Sequence, residues 1–132
     1  MQKPISRMQH GIADWLLIPL VAASPYLLGF AGVTMARSLA WISAVVIASN
    51  VILTRAEWGL VRVLPYKVHL LADAGLGLLL LVAPFIFRFA EFPAARNTFL
   101  ALGVALVVAS TVLSRRGEMP EPAGVRRNPV GL

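Results

Sequence analysis

Apolar residues fall in four long runs separated by short polar stretches, roughly Ile12 to Phe30, Ser38 to Thr54, Val68 to Phe87 and Asn97 to Ser114. At about 1.5 Å per residue, a helix over each run approaches or spans a hydrocarbon core about 30 Å thick. The second and fourth are short, so flanking polar residues or slight bilayer thinning complete the crossing. No run alternates with a period of two, which excludes a closed β-barrel. The pattern predicts an all-α, four-helix transmembrane bundle. Short connections, about Ala31 to Arg37 and Arg88 to Arg96, join the helices pairwise into hairpins. Residues 1–54 are expected to form the first transmembrane hairpin, 68–116 the second, and 55–67 a cytoplasmic interfacial helix between them. That linker, RAEWGLVRVLPYK, mixes apolar and charged side chains, ends at Pro65, and puts Trp58 and Tyr66 at headgroup depth. Residues 117–132 carry three prolines, three glycines and almost no large apolar residue, the composition of a disordered cytoplasmic tail.

Composition agrees with the pattern. Over 132 residues, 58% are hydrophobic and 14% charged, and the mean hydropathy is +0.78, outside the range of an ordinary soluble domain. The absence of cysteine excludes disulfides, thiolate metal sites and CxxC chemistry. The net charge of +6 follows from topology, not from nucleic-acid binding. Nine basic residues (Lys3, Arg7, Arg55, Arg62, Lys67, Arg115, Arg116, Arg126, Arg127) lie at one end of the predicted bundle, against three (Arg37, Arg88, Arg96) at the other. This bias puts both termini in the cytoplasm of a prokaryotic inner membrane, with basic residues against anionic headgroups. The first run is long and holds Asp14, which makes it a retained span, not a cleaved signal.

The chain also matches itself at an offset of 59. His10, Asp14, Pro25, Phe30 and Arg37 align with His69, Asp73, Pro84, Phe89 and Arg96, among ten identities in 28 positions. Matches at His, Asp, Pro and Arg do not follow from leucine-rich composition, so each hairpin reads as one repeat. Two repeats with an even number of spans face the same way, related by a pseudo-two-fold axis along the membrane normal. The frame His-x3-Asp, then a proline followed by an aromatic, then a phenylalanine, repeated over paired spans, resembles the SPW-repeat family of small prokaryotic membrane proteins. The name-giving triplet stands here as Ser24-Pro25-Tyr26 and Ala83-Pro84-Phe85, so the Pro-aromatic unit is kept while the Trp is replaced in both copies. The resemblance covers about residues 10–114 and implies a membrane fold without a settled activity.

Each His-x3-Asp pair lies on one helix face. In one reading, Asp14 and Asp73 are clamped near helix N-termini by their own His or by Arg55 and Arg115, which end the second and fourth helices. In the other, the two-fold axis gathers His10, Asp14, His69 and Asp73 into a cluster able to hold a divalent metal or relay protons, with haem ligation a weaker variant. Pro25 and Pro84 mark kinks or helix exits, and Tyr26, Phe30, Phe85, Phe87, Phe89 and Phe92 an outer aromatic belt. Ala40, Ala44 and Ala48, with Ala101, Ala105 and Ala109, form small-residue faces for tight packing, inside the bundle or against a membrane-protein partner or second copy. Asn50 suits an interhelical hydrogen bond. Ser24 and Ser110 have no evident base, so no enzyme and no resident cofactor are expected. The expected function is a structural or interaction role in the bilayer; the alternative is an ion or proton transporter or metal-binding protein using the duplicated pairs.

Overall fold

The computed structural model describes residues 2–120, leaving most of the expected tail, with Arg126 and Arg127, outside the described residues. The fold is α1 (Arg7–Leu27), α2 (Thr34–Leu53), α3 (Tyr66–Ile86) and α4 (Pro93–Val108), which runs on into a π-helical turn, Ala109–Leu113. Three of these, α2, α3 and α4 with its π turn, are long and apolar enough to cross a membrane. The fourth, α1, is as long as α3 but carries Arg7, Gln9, His10 and Asp14 near its start.

Polarity is distributed as a bilayer requires. Leu16, Leu20, Val45, Leu71, Leu78 and Val104 face outward, while His10, Asp14, Asn50, His69 and Asp73 are buried. A protein solvated by water would reverse that arrangement.

Local chemistry sets the ends of the helices. Ser6 caps α1 by accepting from the Gln9 amide (3.2 Å), and the Gln9 side chain accepts from the Ser6 amide (2.9 Å). Pro65 stands where α3 begins, and there Glu118 accepts from the Tyr66 and Lys67 amides, both at 2.9 Å. The start of the expected tail is therefore tied to the bundle. At the opposite end α1 stops at Gly29 (φ 78°), and the Phe30 amide donates back to Pro25 O at 2.8 Å. α3 stops in the same way at Arg88 (φ 58°), with Phe89 donating to Pro84 O at 2.9 Å. These turns fold Phe30 and Phe89 inward, where both pack edge-on against Phe99. The expected aromatic belt thus loses these two residues to the core, while Tyr26, Phe85, Phe87 and Phe92 remain outside.

The interfacial helix expected over 55–67 does not form. α2 ends with free carbonyls at Ile52 and Leu53, and the linker turns back to satisfy them: Leu60 and Val61 donate to Ile52 O, and Val63 and Leu64 to Leu53 O. A path of turns that passes through Arg62 in a left-handed conformation (φ 53°) makes those four bonds, which a helix could not offer. The chain before α1 does the same at α4, with Ile5 donating to Leu113 O (3.0 Å) and accepting from Arg115 (2.9 Å). The alanine faces also divide. Ala40 and Ala44 are buried, but Ala101 and Ala105 face outward, because α4 packs through Ala95, Phe99, Gly103 and Leu106.

Candidate metal centre

The His-x3-Asp spacing puts both side chains of each pair on one face, and α1 and α3 turn those faces toward each other at the basic end of the bundle. His10 Nε2 lies 3.3 Å from Asp14 Oδ2 and 3.0 Å from Asp73 Oδ2; His69 Nε2 lies 2.9 Å from Asp14 Oδ2 and 3.1 Å from Asp73 Oδ2. One potential ligand atom from each residue lies within 4.8 Å of all the others, and all four residues are buried. A tetrahedral ion with bonds of about 2.0–2.1 Å needs neighbouring ligand atoms about 3.3–3.4 Å apart. Four of the six edges of such a cage, the N···O ones, are within about half an ångström of that spacing.

The atoms facing away from the centre are also held. His10 Nδ1 meets Ser114 Oγ at 2.6 Å, His69 Nδ1 meets Thr54 Oγ1 at 2.9 Å, and Asp73 Oδ1 accepts from Asn50 Nδ2 at 2.8 Å. Thr54 donates its only hydroxyl proton to Asn50 O at 2.5 Å. The Thr54–His69 bond can then be made only by an N–H on His69 Nδ1. A neutral His69 consequently presents the lone pair of Nε2 to two carboxylate oxygens, a repulsive arrangement that either a proton on Nε2 or a cation between them relieves.

Aromatic rings cover the cluster. Tyr66 stacks on His69 (centroids 5.7 Å, 21°) and meets His10 edge-on, and Trp58 lies 5.1 Å from His69. Tyr66, expected at headgroup depth, is fully buried. Its hydroxyl has no partner among the described residues, so the ring supplies cover and not a hydrogen bond to the cluster. Trp58 donates from Nε1 to Arg7 O at 2.9 Å, its ring in the space that a side chain on Gly11 would fill. The linker is pinned by a bidentate pair, Arg7 to Glu57, at 2.5 and 2.9 Å. Hydrogen bonding from Arg7 holds the Glu57 carboxyl down at about 2.

The expected arginine clamps do not form. Arg115 donates to Lys3 O at 2.8 Å, and Arg55 pairs with no carboxylate among the described residues. Both follow residues that close their helices in extended geometry, so the preceding Thr54 and Ser114 point inward and the arginines outward. Thr54, Ser114, Trp58 and the covering role of Tyr66 were not evident from sequence. An offset of 59 aligns Thr54 with Leu113, one residue short of Ser114, which hides their correspondence. Pro25, Tyr26, Pro84 and Phe85 lie about 16 Å along their helices from the aspartates; the prolines are buried, and Tyr26 and Phe85 are exposed. Compared with family models, curated proteins and solved structures, the chain matches none.

Proposed function

We propose that this chain is a four-span protein of a prokaryotic inner membrane, N-in and C-in, whose two duplicated hairpins are tied together by a divalent transition-metal ion held by His10, Asp14, His69 and Asp73. One observation carries this reading: four ligand atoms converge while Thr54, Ser114 and Asn50 hold the outer atoms of three of the ligands. Such outer hydrogen bonds orient metal ligands and fix their tautomers. Two neutral imidazoles and two carboxylates carry two negative charges, which a divalent ion cancels in a buried setting where an unbalanced charge is costly. Nitrogen and oxygen donors in fourfold coordination suit zinc, and a set of four protein ligands leaves no open position, as in structural sites. Toward the far end the buried hydroxyls of Ser24 and Ser43 bond to their own helices, and Phe30, Phe89, Phe99 and Leu80 fill the interior. That filling favours a closed structural site over a transport path.

Duplication is supported by the equivalence of parts. α1 and α3 are both 21 residues and start 59 apart, and their C-terminal turns at Gly29 and Arg88 are also 59 apart. The arrangement and the resemblance to SPW-repeat proteins belong to one reading, a small membrane scaffold with a structural role. Its test is metal analysis of the detergent-purified chain. Wild type is expected to hold about one equivalent of zinc, and Co(II) loading to give the visible bands of a tetrahedral site. His10→Ala/His69→Ala and Asp14→Asn/Asp73→Asn should lose both. A folded wild type that takes up neither ion at micromolar concentration would overturn the proposal.

A further inference from the structure

Beyond the metal site, the basic end of the bundle carries a second feature. A groove of about 240 Å³ runs between the first turns of α3 and the π-helical turn of α4, with Leu70, Leu71 and Ala74 along one wall, Thr111 on the other, and Lys67 and Arg116 at its mouth. Lys3 lies beside it, its ammonium donating to Thr111 O at 2.8 Å. Neither Lys67 nor Arg116 is paired with a carboxylate among the described residues. Glu118 is the nearby acid, and its two oxygens are engaged by the first amides of α3.

The corresponding region of the first hairpin, between α1 and α2, is closed. Trp58 lies on Gly11 with its indole bonded to Arg7 O, and Trp15 donates to Trp58 O at 3.3 Å. At the offset of 59, Trp15 is matched by Ala74 and Gly11 by Leu70. Where the first hairpin has the indole of Trp15 the second has the small Ala74, and its groove, walled by Leu70 and Ala74, stays open beside Lys67 and Arg116.

From this geometry we infer that the α3–α4 groove binds one anionic phospholipid, its phosphate between Lys67 and Arg116 and the start of an acyl chain along Leu71 and Ala74. Charge complementarity selects the headgroup. Leu71, 72% exposed on the outer surface, supplies the apolar continuation that a free phosphate could not use. The site rests on the membrane reading and is independent of the metal.

Native mass spectrometry of the detergent-solubilised full chain, titrated with phosphatidylglycerol or phosphatidylcholine, tests it. Wild type should retain one phosphatidylglycerol in preference to phosphatidylcholine. Each cation at an anionic surface strengthens binding about fivefold, so Lys67→Gln/Arg116→Gln should weaken retention roughly thirtyfold. Arg55→Gln/Arg62→Gln, with the same charge change at the same end, should not. Ala74→Trp fills the groove without altering charge and should abolish retention as well. Equal retention of the two lipids, equal loss in both charge variants, retention unchanged in Ala74→Trp, or competition by inorganic phosphate at matched concentration would each overturn the site. A chain that stays monodisperse in buffer without detergent would overturn the membrane reading itself, whereas loss of the lipid from a detergent-requiring chain would overturn only the groove.

Discussion

Thr54 and Ser114 are single hydroxyls whose effect depends on where their protons go. Thr54 gives its proton to Asn50 O, so it can only accept from His69 Nδ1, and that choice leaves Nε2 free for an ion. Removing such an outer partner costs about 10–100-fold in metal affinity. Thr54→Val and Ser114→Ala are each expected to weaken zinc binding by that order while leaving the fold intact, and Thr54→Ser to restore it; titration against a competing chelator measures the difference. Undiminished affinity in both variants would leave the histidines without the assigned orientation. Glu57 acts at the same scale, outside the helices. Its carboxyl has an ordinary value of 4.5 and sits at about 2 because Arg7 hydrogen-bonds the charged form. A lowered carboxyl value means that the Arg7–Glu57 tie contributes fully above about pH 4.5 and is lost as pH falls toward 2. The Glu57 side chain is 38% exposed, so the contribution is small, below about 1 kcal/mol. Amide exchange at Leu60, Val61, Val63 and Leu64, corrected for intrinsic rate, should rise in Glu57→Gln at pH 7, and wild type should converge on the variant near pH 2. Identical exchange in the two proteins at neutral pH would remove Glu57 from the linker's hold.

The helices themselves were legible because their signals are long and repeated: four apolar runs, and a His, Asp and Pro recurring at one offset. Their boundaries were less so. The apolar runs miss the polar first turn of each helix, and α1 starts at Arg7 because the Ser6 capping box, not hydrophobicity, sets its N-terminus. The mixed composition of residues 55–67 suits an amphipathic helix, while the unsatisfied carbonyls of Ile52 and Leu53 that recruit this segment exist only once α2 is in place. In the cluster, the four residues could be read from local spacing and Asn50 as an interhelical donor, but Thr54 and Ser114 could not, since they sit at the far ends of other helices. The π-helical turn explains the missed correspondence physically. Ser114 donates to Ala109 O across five residues, so α4 carries one residue more before its end than α2 does, and the offset passes from 59 to 60. Element ends also allow a direct test of strain. Gly29 and Arg88 share a left-handed conformation, which costs an L side chain roughly 1 kcal/mol. Arg88→Gly is therefore expected to stabilise the protein by about 0.5–1 kcal/mol and Gly29→Ala to destabilise it by a similar amount, as read by thermal unfolding in detergent. Shifts of the same sign in both would show that something other than the backbone angle dominates there.

At the scale of the whole molecule the two hairpins are joined unequally along their length. Each packs tightly within itself, α1 on α2 and α3 on α4, whereas α1 and α3 make little backbone contact and meet through side chains. At the aromatic end the joint is apolar, with Phe30, Ala36 and Ala40 of one hairpin against Leu80, Phe89 and Phe99 of the other. A bilayer supplies no hydrophobic drive for helices to associate, so such a joint rests on close packing. At the basic end the joint is polar, with His10 reaching Asp73 and His69 reaching Asp14 across the hairpin boundary. On the proposed reading, zinc at that point would bind the assembled molecule more tightly than either hairpin alone, which supplies only two of the four ligands, and by mass action would add about 2.7 kcal/mol when free ion exceeds its dissociation constant a hundredfold. Chelation is accordingly expected to lower the unfolding midpoint of wild type and to separate the α1 and α3 starts while leaving the Phe30–Phe99 end in place. Spin labels at Met8 and Lys67 should report a longer or broader distance after chelation, and labels at Gly32 and Glu91 an unchanged one. His10→Ala/His69→Ala should respond to neither zinc nor chelator. If both pairs of labels move together, the hairpins separate as a unit and the packed aromatic end has no independent hold; if neither moves and the midpoint is constant, the cluster holds the molecule together through its hydrogen bonds alone.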